Sequence, residues 1–210
     1  MASCSICHGS CREIEDKKSR TYHICQDCGF TFLDPSCRLT EREERKRYDR
    51  HNNTPDARGY VQWLTTFIEQ AVLPYAKEGS RVLDFGSGPV PVLARLMEER
   101  GYKVSFHDKF FAPQSPEGPF DLITSTEVFE HLADPLGTLI KLSAMLKRGG
   151  RLSLKTSLRP LSDEDFLCWW YREDSTHIGF FTPQALKALA SMGGLNLEFS
   201  DLRSVVIFRN

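Results

Sequence analysis

The sequence predicts an α/β fold, with a mostly parallel sheet, helices on both of its faces and a small cysteine-bearing ribbon at the N-terminus. Three observations carry this expectation. Apolar runs of strand length alternate with stretches of helical apolar spacing through the middle of the chain, the pattern of parallel strands joined by crossover helices. The run Val82-Leu83-Asp84-Phe85 breaks into the turn Gly86-Ser87-Gly88-Pro89 and is followed by helical spacing, which reads as strand, tight turn, helix. Two C-x2-C pairs, Cys4/Cys7 and Cys25/Cys28, stand 17 residues apart near the N-terminus.

Taken in chain order, residues 1–37 form the ribbon. Each cysteine pair makes a tight turn that aims two thiolates at one point, and four such sulfurs close a tetrahedral zinc sphere. A closed sphere leaves no position for a substrate, so Cys4, Cys7, Cys25 and Cys28 are read as ligands of a structural Zn2+. The segment is too short to bury enough apolar surface by itself, and a structural zinc contributes roughly 10–16 kcal/mol. Residues 21–24 and 30–33 are the expected ribbon strands. His8, Cys11 and His23 lie near a pair but not at knuckle spacing, and Cys37 and Cys168 read as buried small hydrophobes. Residues 38–57 form a linker. Its mixed-charge run from Arg38 to Tyr48 predicts a solvated helix, broken over 51–56. Residues 1–50 hold ten Lys/Arg against nine Asp/Glu, so the cluster Arg45-Lys46-Arg47 is not part of a basic domain.

The third segment, 58–210, opens with an amphipathic helix over 59–75 that presents Trp63, Leu64, Phe67, Ile68, Ala71 and Val72 to the sheet. The glycine turn after Val82–Phe85 lets backbone approach a ligand closely, and a helix from Val90 would offer free N–H groups to an anion. The next strand ends at Asp108, 24 residues after Asp84, where a ribose-binding carboxylate is expected. Only 11 residues separate Asp108 from Phe120, among them Pro113, Pro116, Gly118 and Pro119, so no crossover helix plus strand fits and one edge strand should be absent. A strand over 120–126 leads to Glu127-Val128-Phe129-Glu130-His131. Asp134-Pro135 then starts a helix carrying Leu136, Leu139, Ile140, Leu142 and Leu146 to the core, ended by Gly149-Gly150. A strand over 151–156, a long loop over 166–182, a helix over 183–192 and an antiparallel pair over 195–199 and 205–208 complete the chain.

Three of these blocks in order, the glycine turn after Asp84, the acid Asp108 and the segment Glu127–His131, resemble the class I S-adenosylmethionine-dependent methyltransferases, in the branch with an EVxEH signature after the fourth strand. The resemblance covers about residues 58 to 210. It implies a Rossmann-like methyltransferase fold and S-adenosylmethionine as cofactor. Asp84 and Gly86 would then hold the methionine end and Asp108 the ribose, with Glu127 near the junction and Ser87 and Gly88 also binding the cofactor. Phe110 and Phe111 would cover the adenine where the missing edge strand normally walls it, or else plug the shortened sheet edge. Val90 departs from the pattern, since a third glycine is common there, and a β-branched residue restricts close approach.

The loop over 166–182 is similar to a W-x-Y…D-x-T-H…F-F segment of the same methyltransferases. It implies that Trp170, Tyr171 and Asp174 contact the acceptor. A hydroxyl acceptor needs a base near neutrality, and His131 and His177 are the candidates because imidazole titrates there. An Asp174–Thr176–His177 cluster that pins the loop by hydrogen bonds is the competing reading.

Composition narrows the partners. The chain has 210 residues and a formal net charge of −1, which gives no global attraction to nucleic acid or to an acidic membrane surface. No apolar run approaches the ~20 residues of a membrane span, and Met1-Ala2-Ser3-Cys4 lacks a signal-peptide pattern, so a cytoplasmic location is expected. Seven cysteines there suggest metal or free thiols rather than disulfides. The leading expectation is methyl transfer to a small-molecule acceptor, at a hydroxyl, amine or carbon of a sugar or other metabolite. An RNA methyltransferase that grips RNA with its ribbon is the alternative, disfavoured by the near-neutral N-terminal charge. A non-catalytic S-adenosylmethionine-binding module is the third reading.

Overall fold

The computed structural model describes residues 2–49 and 53–210. Three short strands, β1 (Cys11–Glu15), β2 (Thr21–Cys25) and β3 (Thr31–Leu33), lead through helix α1 (Glu41–Tyr48) to helix α2 (Arg58–Ala71). The middle of the chain gives β4 (Arg81–Phe85), α3 (Val92–Glu98), β5 (Lys103–His107), β6 (Phe120–Thr126), α4 (Pro135–Ala144) and β7 (Leu146–Lys155). The C-terminal part supplies α5 (Asp163–Cys168), a 3-10 turn at Trp170–Glu173, β8 (Gly179–Phe180), α6 (Pro183–Met192), β9 (Asn196–Ser200) and β10 (Val205–Arg209).

The main sheet has six strands in the order β5-β4-β6-β7-β10-β9, in which β5, β4, β6 and β7 run parallel and β10 pairs antiparallel with both β7 and β9. This is the α/β fold the sequence predicts. β5 is the edge strand, and between Asp108 and Phe120 there is only an isolated bridge from Asp108 to Ala112, so the expected edge strand is absent. Strand alternation divides the core between the two faces. Val82, Leu122, Val205 and Ile207 pack under α2 and α3, whereas Leu83, Ile123, Leu154, Val206 and Phe208 pack under α4 and α6. Each such side chain, once fully buried, contributes about 1.5–3 kcal/mol, and a one-residue slip of any strand would exchange the two sets.

The structure departs from the sequence expectations in several places, and Ile140 and Cys168, expected to be buried, are exposed. The helix predicted from Val90 begins at Val92. Val90 precedes Pro91, and a residue before proline is pushed out of the helical region; Pro89 and Pro91 also lack N–H groups, so the anion-binding helix start expected there is not built. β7 begins at Leu146, which was expected to end the preceding helix, and its register shifts where Phe120 pairs with Leu146 and Leu122 with Arg151. The loop over 166–182 contains ordered elements, and one of them, β8, pairs with β3 of the ribbon. The expected helix break over 51–56 falls partly on residues outside those described.

That last pairing makes the ribbon part of the larger structure. Its sheet runs β1-β2-β3-β8, so the segment over 159–184 contributes the fourth strand. Cys4, Ile6, Cys11, Cys25, Cys28, Phe30 and Phe32 share one apolar cluster with Leu83, Phe120 and Phe181. Tyr22 and Leu33 share another with Phe166, Tyr171 and Phe180. At the seam, the buried Arg172 donates to Asp16 and to the Tyr22 hydroxyl, and Thr182 Oγ1 donates to the Cys28 carbonyl at 3.1 Å.

Candidate active site

The carboxyl ends of β4, β5, β6 and β7 open onto one cleft of about 1240 Å³, larger than the few hundred to 1,000 Å³ typical for a single small ligand. In open α/β sheets this edge is where ligands bind. Every residue that the sequence nominates for cofactor, acceptor or base lines this cleft: Asp84, Gly86, Ser87, Gly88, Asp108, Phe110, Glu127, His131, Trp170, Tyr171, Asp174 and His177.

The glycine turn has the form its sequence requires. Gly86 sits at φ +84°, and a Cβ there would meet Val128 Cγ2 at 2.2 Å. Gly88, at φ +67°, has open space where a Cβ would stand, and its N–H donates to Asp108 Oδ2 at 2.9 Å. Asp108 Oδ1 accepts from the backbone N–H of Phe110 at 2.9 Å and of Phe111 at 3.1 Å. Three backbone donors thus hold this carboxylate at the cleft, and about one of its four lone-pair positions is left for a hydroxyl.

Asp84 is buried, and its nearest side-chain donor, Thr124 Oγ1, is 3.4 Å away. Burial pushes its carboxyl up to about 7. Next to Gly88, a buried acid with so little internal compensation and an open backbone cradle fit the ammonium and nucleoside ends of S-adenosylmethionine.

The EVxEH segment carries the second feature. Glu127 has φ +53°, a left-handed conformation that is uncommon outside glycine, and its N–H donates to the Lys155 carbonyl at 2.8 Å. Burial, and then the neighbouring Glu130, push the Glu127 carboxyl up to about 9; burial also raises Glu130. The Tyr171 hydroxyl contacts both, lying 2.7 Å from Glu127 Oε2 and closer still to Glu130 Oε1. A phenol has one hydrogen to donate, so at least one of the two carboxyls holds a proton and donates back to the phenol oxygen.

The two histidines meet at the same place, with ring centroids 4.7 Å apart. His131 Nδ1 lies 2.9 Å from the Thr176 carbonyl and His177 Nδ1 2.7 Å from the Tyr171 carbonyl. A carbonyl only accepts, so in each neutral ring Nδ1 carries the hydrogen and Nε2 is the basic nitrogen. Glu130, His131 and His177 each offer a ligand atom within 4.8 Å of the others.

The acceptor-side residues divide. Trp170 is exposed at the mouth of the cleft, whereas Tyr171 is buried in the Glu127–Glu130 network. Asp174 is occupied: Oδ1 accepts from the Thr176 N–H and hydroxyl at 3.0 and 2.6 Å, and Oδ2 from Arg47 at 2.9 Å. Burial opposes its ionisation, yet Arg47 and Thr176 hold its carboxyl well below the usual carboxylate range. Here Asp174 pins the loop, as the competing reading expects.

Sequence reasoning missed several lining residues. The solvated helix α1 buries no residue, but its end reaches the cleft. The Tyr48 ring stands 5.8 Å from Phe110 and 5.4 Å from His131. A tyrosine closing a run of charged residues was the available signal. Tyr60, Trp63 and Lys155 also line the cleft, and only the fold brings them to it.

Away from the cleft, Cys4, Cys7, Cys25 and Cys28 bring their sulfurs within 4.8 Å of one another. The pairs Cys4–Cys28 and Cys7–Cys25 stand 3.7 and 3.4 Å apart, close to the ~3.8 Å separation that zinc with ~2.3 Å sulfur bonds requires. The N–H groups of Ile6 and Cys28 point at Cys4 and Cys25 sulfurs from 3.4 Å, as donors to thiolates do. Cys11 lies outside this cluster of four, and burial raises its thiol pKa.

Comparison with known proteins places the chain. A family model described as a methyltransferase domain matches residues 56–198. A ubiquinone biosynthesis O-methyltransferase from a Ruegeria species is 29% identical over 134 residues, covering 59% of this chain and 54% of that protein. Its counterpart from Vibrio parahaemolyticus is 33% identical over 85 residues, covering 39% of this chain and 36% of that protein. The chain therefore spans about half or less of the length of these relatives. Among solved structures, the mitomycin 7-O-methyltransferase MmcR superposes with a TM-score of 0.58 at 14% identity, covering 81% of this chain and 58% of that one, which shows a shared fold. With the family model matching more than half of its residues, the chain belongs to the methyltransferase domain family.

Proposed function

We propose that this protein methylates a hydroxyl of a small-molecule acceptor. The observation that carries the reading is the convergence of Gly86–Gly88, Asp108 and Glu127 with the paired rings of His131 and His177 on one cleft. The relatives named above are O-methyltransferases, which favours oxygen over nitrogen or carbon as the accepting atom.

In this reading the cofactor, when bound, supplies a methyl group activated by its sulfonium. Asp84 would receive the ammonium of the methionine end, Gly88 leave room for the backbone approach, and Asp108 offer its remaining lone pair to the ribose. Phe110 and Tyr48 would wall the adenine side. His131 or His177 would take the acceptor proton at Nε2, with the backbone carbonyls of Thr176 and Tyr171 fixing the tautomer. Holding the two reactants in a cleft with a buried floor supplies most of what such a transfer needs, because the leaving group is already activated.

The ribbon is read as a structural zinc unit. Four cysteine sulfurs with a closed donor set fit that ion, and the shared apolar clusters give it a role in holding the segment over 159–184.

The test is a transfer screen with isotope-labelled S-adenosylmethionine over quinols, sugars and RNA. Labelling of a hydroxyl compound, lost in the double variant His131→Ala/His177→Ala, is expected. Labelling of RNA alone, or unchanged turnover in that variant, would overturn the reading.

A further inference from the structure

Lys155 ends β7, and its ammonium stands at the cleft in an unusual state. It is half-buried, its one hydrogen bond runs to Ser204 Oγ at 3.3 Å, and no carboxylate lies within ion-pair distance of it among the described residues. Two of the other cations lining the cleft are ion-paired, and Arg38 is turned to the ribbon backbone. Arg47 is paired with Asp174, Lys109 with Glu41 and Glu44, and Arg38 Nε donates to the Leu33 carbonyl. A desolvated ammonium is costly unless paired, and burial lowers the pKa of this one. Glu127 and Asp201 favour its charge from a distance, but neither stands within ion-pair distance of the ammonium.

Position separates Lys155 from the nucleoside side. The strand order is β5-β4-β6-β7, so Lys155 lies three strands from the end of β5, where Asp108 follows, roughly 14 Å at ~4.8 Å per strand. Its surroundings are flat and apolar. The ammonium sits 5.0 Å from the centroid of the Trp63 ring, and Trp63 stacks on Tyr60 at 6.0 Å with an interplanar angle of 18°. Ser157 and Ser204 also line the cleft. One ammonium with two hydroxyls suits a monoanion, while a phosphate dianion calls for arginine forks.

We propose that Lys155 anchors a carboxylate on the methyl acceptor, so that the acceptor is a small planar hydroxy acid lying against Trp63 and Tyr60. This rests on the reading of the cleft as a methyl-transfer site and names its substrate class.

The experiment is titration calorimetry of the full chain, alone and saturated with S-adenosylhomocysteine. The probes are protocatechuate, salicylate and para-hydroxybenzoate, each beside its methyl ester. At least one acid is expected to bind ten-fold or more tightly than its ester, as loss of a charge-assisted hydrogen bond implies. Lys155→Met should erase that preference, Lys155→Arg should keep it, and neither should move S-adenosylhomocysteine affinity. The proposal is overturned if no acid outbinds its ester, if the preference survives Lys155→Met, or if Lys155→Met weakens S-adenosylhomocysteine ten-fold, which would put Lys155 on the cofactor's carboxylate instead. Failure of S-adenosylhomocysteine to bind the parent protein would sink the cofactor reading, and the acid–ester comparison on the chain alone would still decide the role of Lys155.

Discussion

The Tyr171 hydroxyl lies 2.7 Å from Glu127 Oε2, and on its other side it meets Glu130, so a single phenol joins the half-buried carboxyl of Glu127 in the cleft lining to the fully buried carboxyl of Glu130. The contact links the 3-10 turn over the cleft to the left-handed Glu127 at the end of β6. It is also the point at which ribbon, loop and strand ends come under one set of constraints, because Tyr171 packs in the cluster that holds Tyr22 and Leu33.

Tyr171→Phe keeps the ring that stands 4.1 Å from His177 and removes only the hydroxyl. The carboxyls of Glu127 and Glu130 then share a site with no phenol between them. A loss of about 1–3 kcal/mol in stability is expected, larger at pH 9 than at pH 6 because ionising the pair becomes more costly. Thermal unfolding at the two pH values checks it, and equal melting temperatures for variant and parent would exclude the network as a stabilising element.

Stability of the ligand-free protein should fall as pH rises. Asp84 and Glu127 have folded values of about 7 and 9, above their unfolded values of 3.8 and 4.5. Their contribution is fully present below about pH 4 and is lost as pH climbs through 7 and then 9. Between pH 5 and 9 urea unfolding should therefore show a declining midpoint, and Asp84→Asn should flatten the part below pH 7. A midpoint that rises over this range would contradict the assignment.

Asp108 has two roles that substitutions separate. Asp108→Ala removes the acceptor for the N–H groups of Gly88, Phe110 and Phe111 together with the ribose partner, so S-adenosylmethionine affinity should drop by ten-fold or more. Asp108→Asn keeps one carbonyl oxygen and should lie between the two. Calorimetry reads both, and parent-like binding by Asp108→Ala would remove this residue from the cofactor site.

Metal analysis of the purified protein should give about one zinc per chain, lost in Cys25→Ser. The loss should also be felt beyond the ribbon, because the Leu33 N–H donates to the Ile178 carbonyl at 2.9 Å where β3 receives β8. Faster hydrogen exchange at Leu33 and at the 178–180 segment is the expected signature. Unchanged exchange there after zinc removal would show that the seam stands without the metal.

The periodicity of the chain determined most of the scaffold. Near-continuous apolar runs in Val82–Phe85 and Val205–Phe208 specify strands buried on both faces, the helix over 183–192 has the predicted bounds, and the short proline-rich stretch after Asp108 excludes an edge strand by length alone. These features are local, so spacing suffices to read them. The cysteine pairs are legible for the same reason, since a knuckle is a turn a few residues long.

Tertiary structure decided the remaining features. No local pattern brings Lys155 to Trp63, Tyr48 to His131, or Phe180 into a sheet begun by Cys11, because each pairing joins segments far apart in sequence through strand order. Nor does the sequence by itself say that Asp174 is spent on Arg47 and Thr176, or that Glu127 holds its proton to about pH 9. Residue type fixes what a carboxyl can do; burial and neighbours, which only the folded chain supplies, set which of its charge states exists.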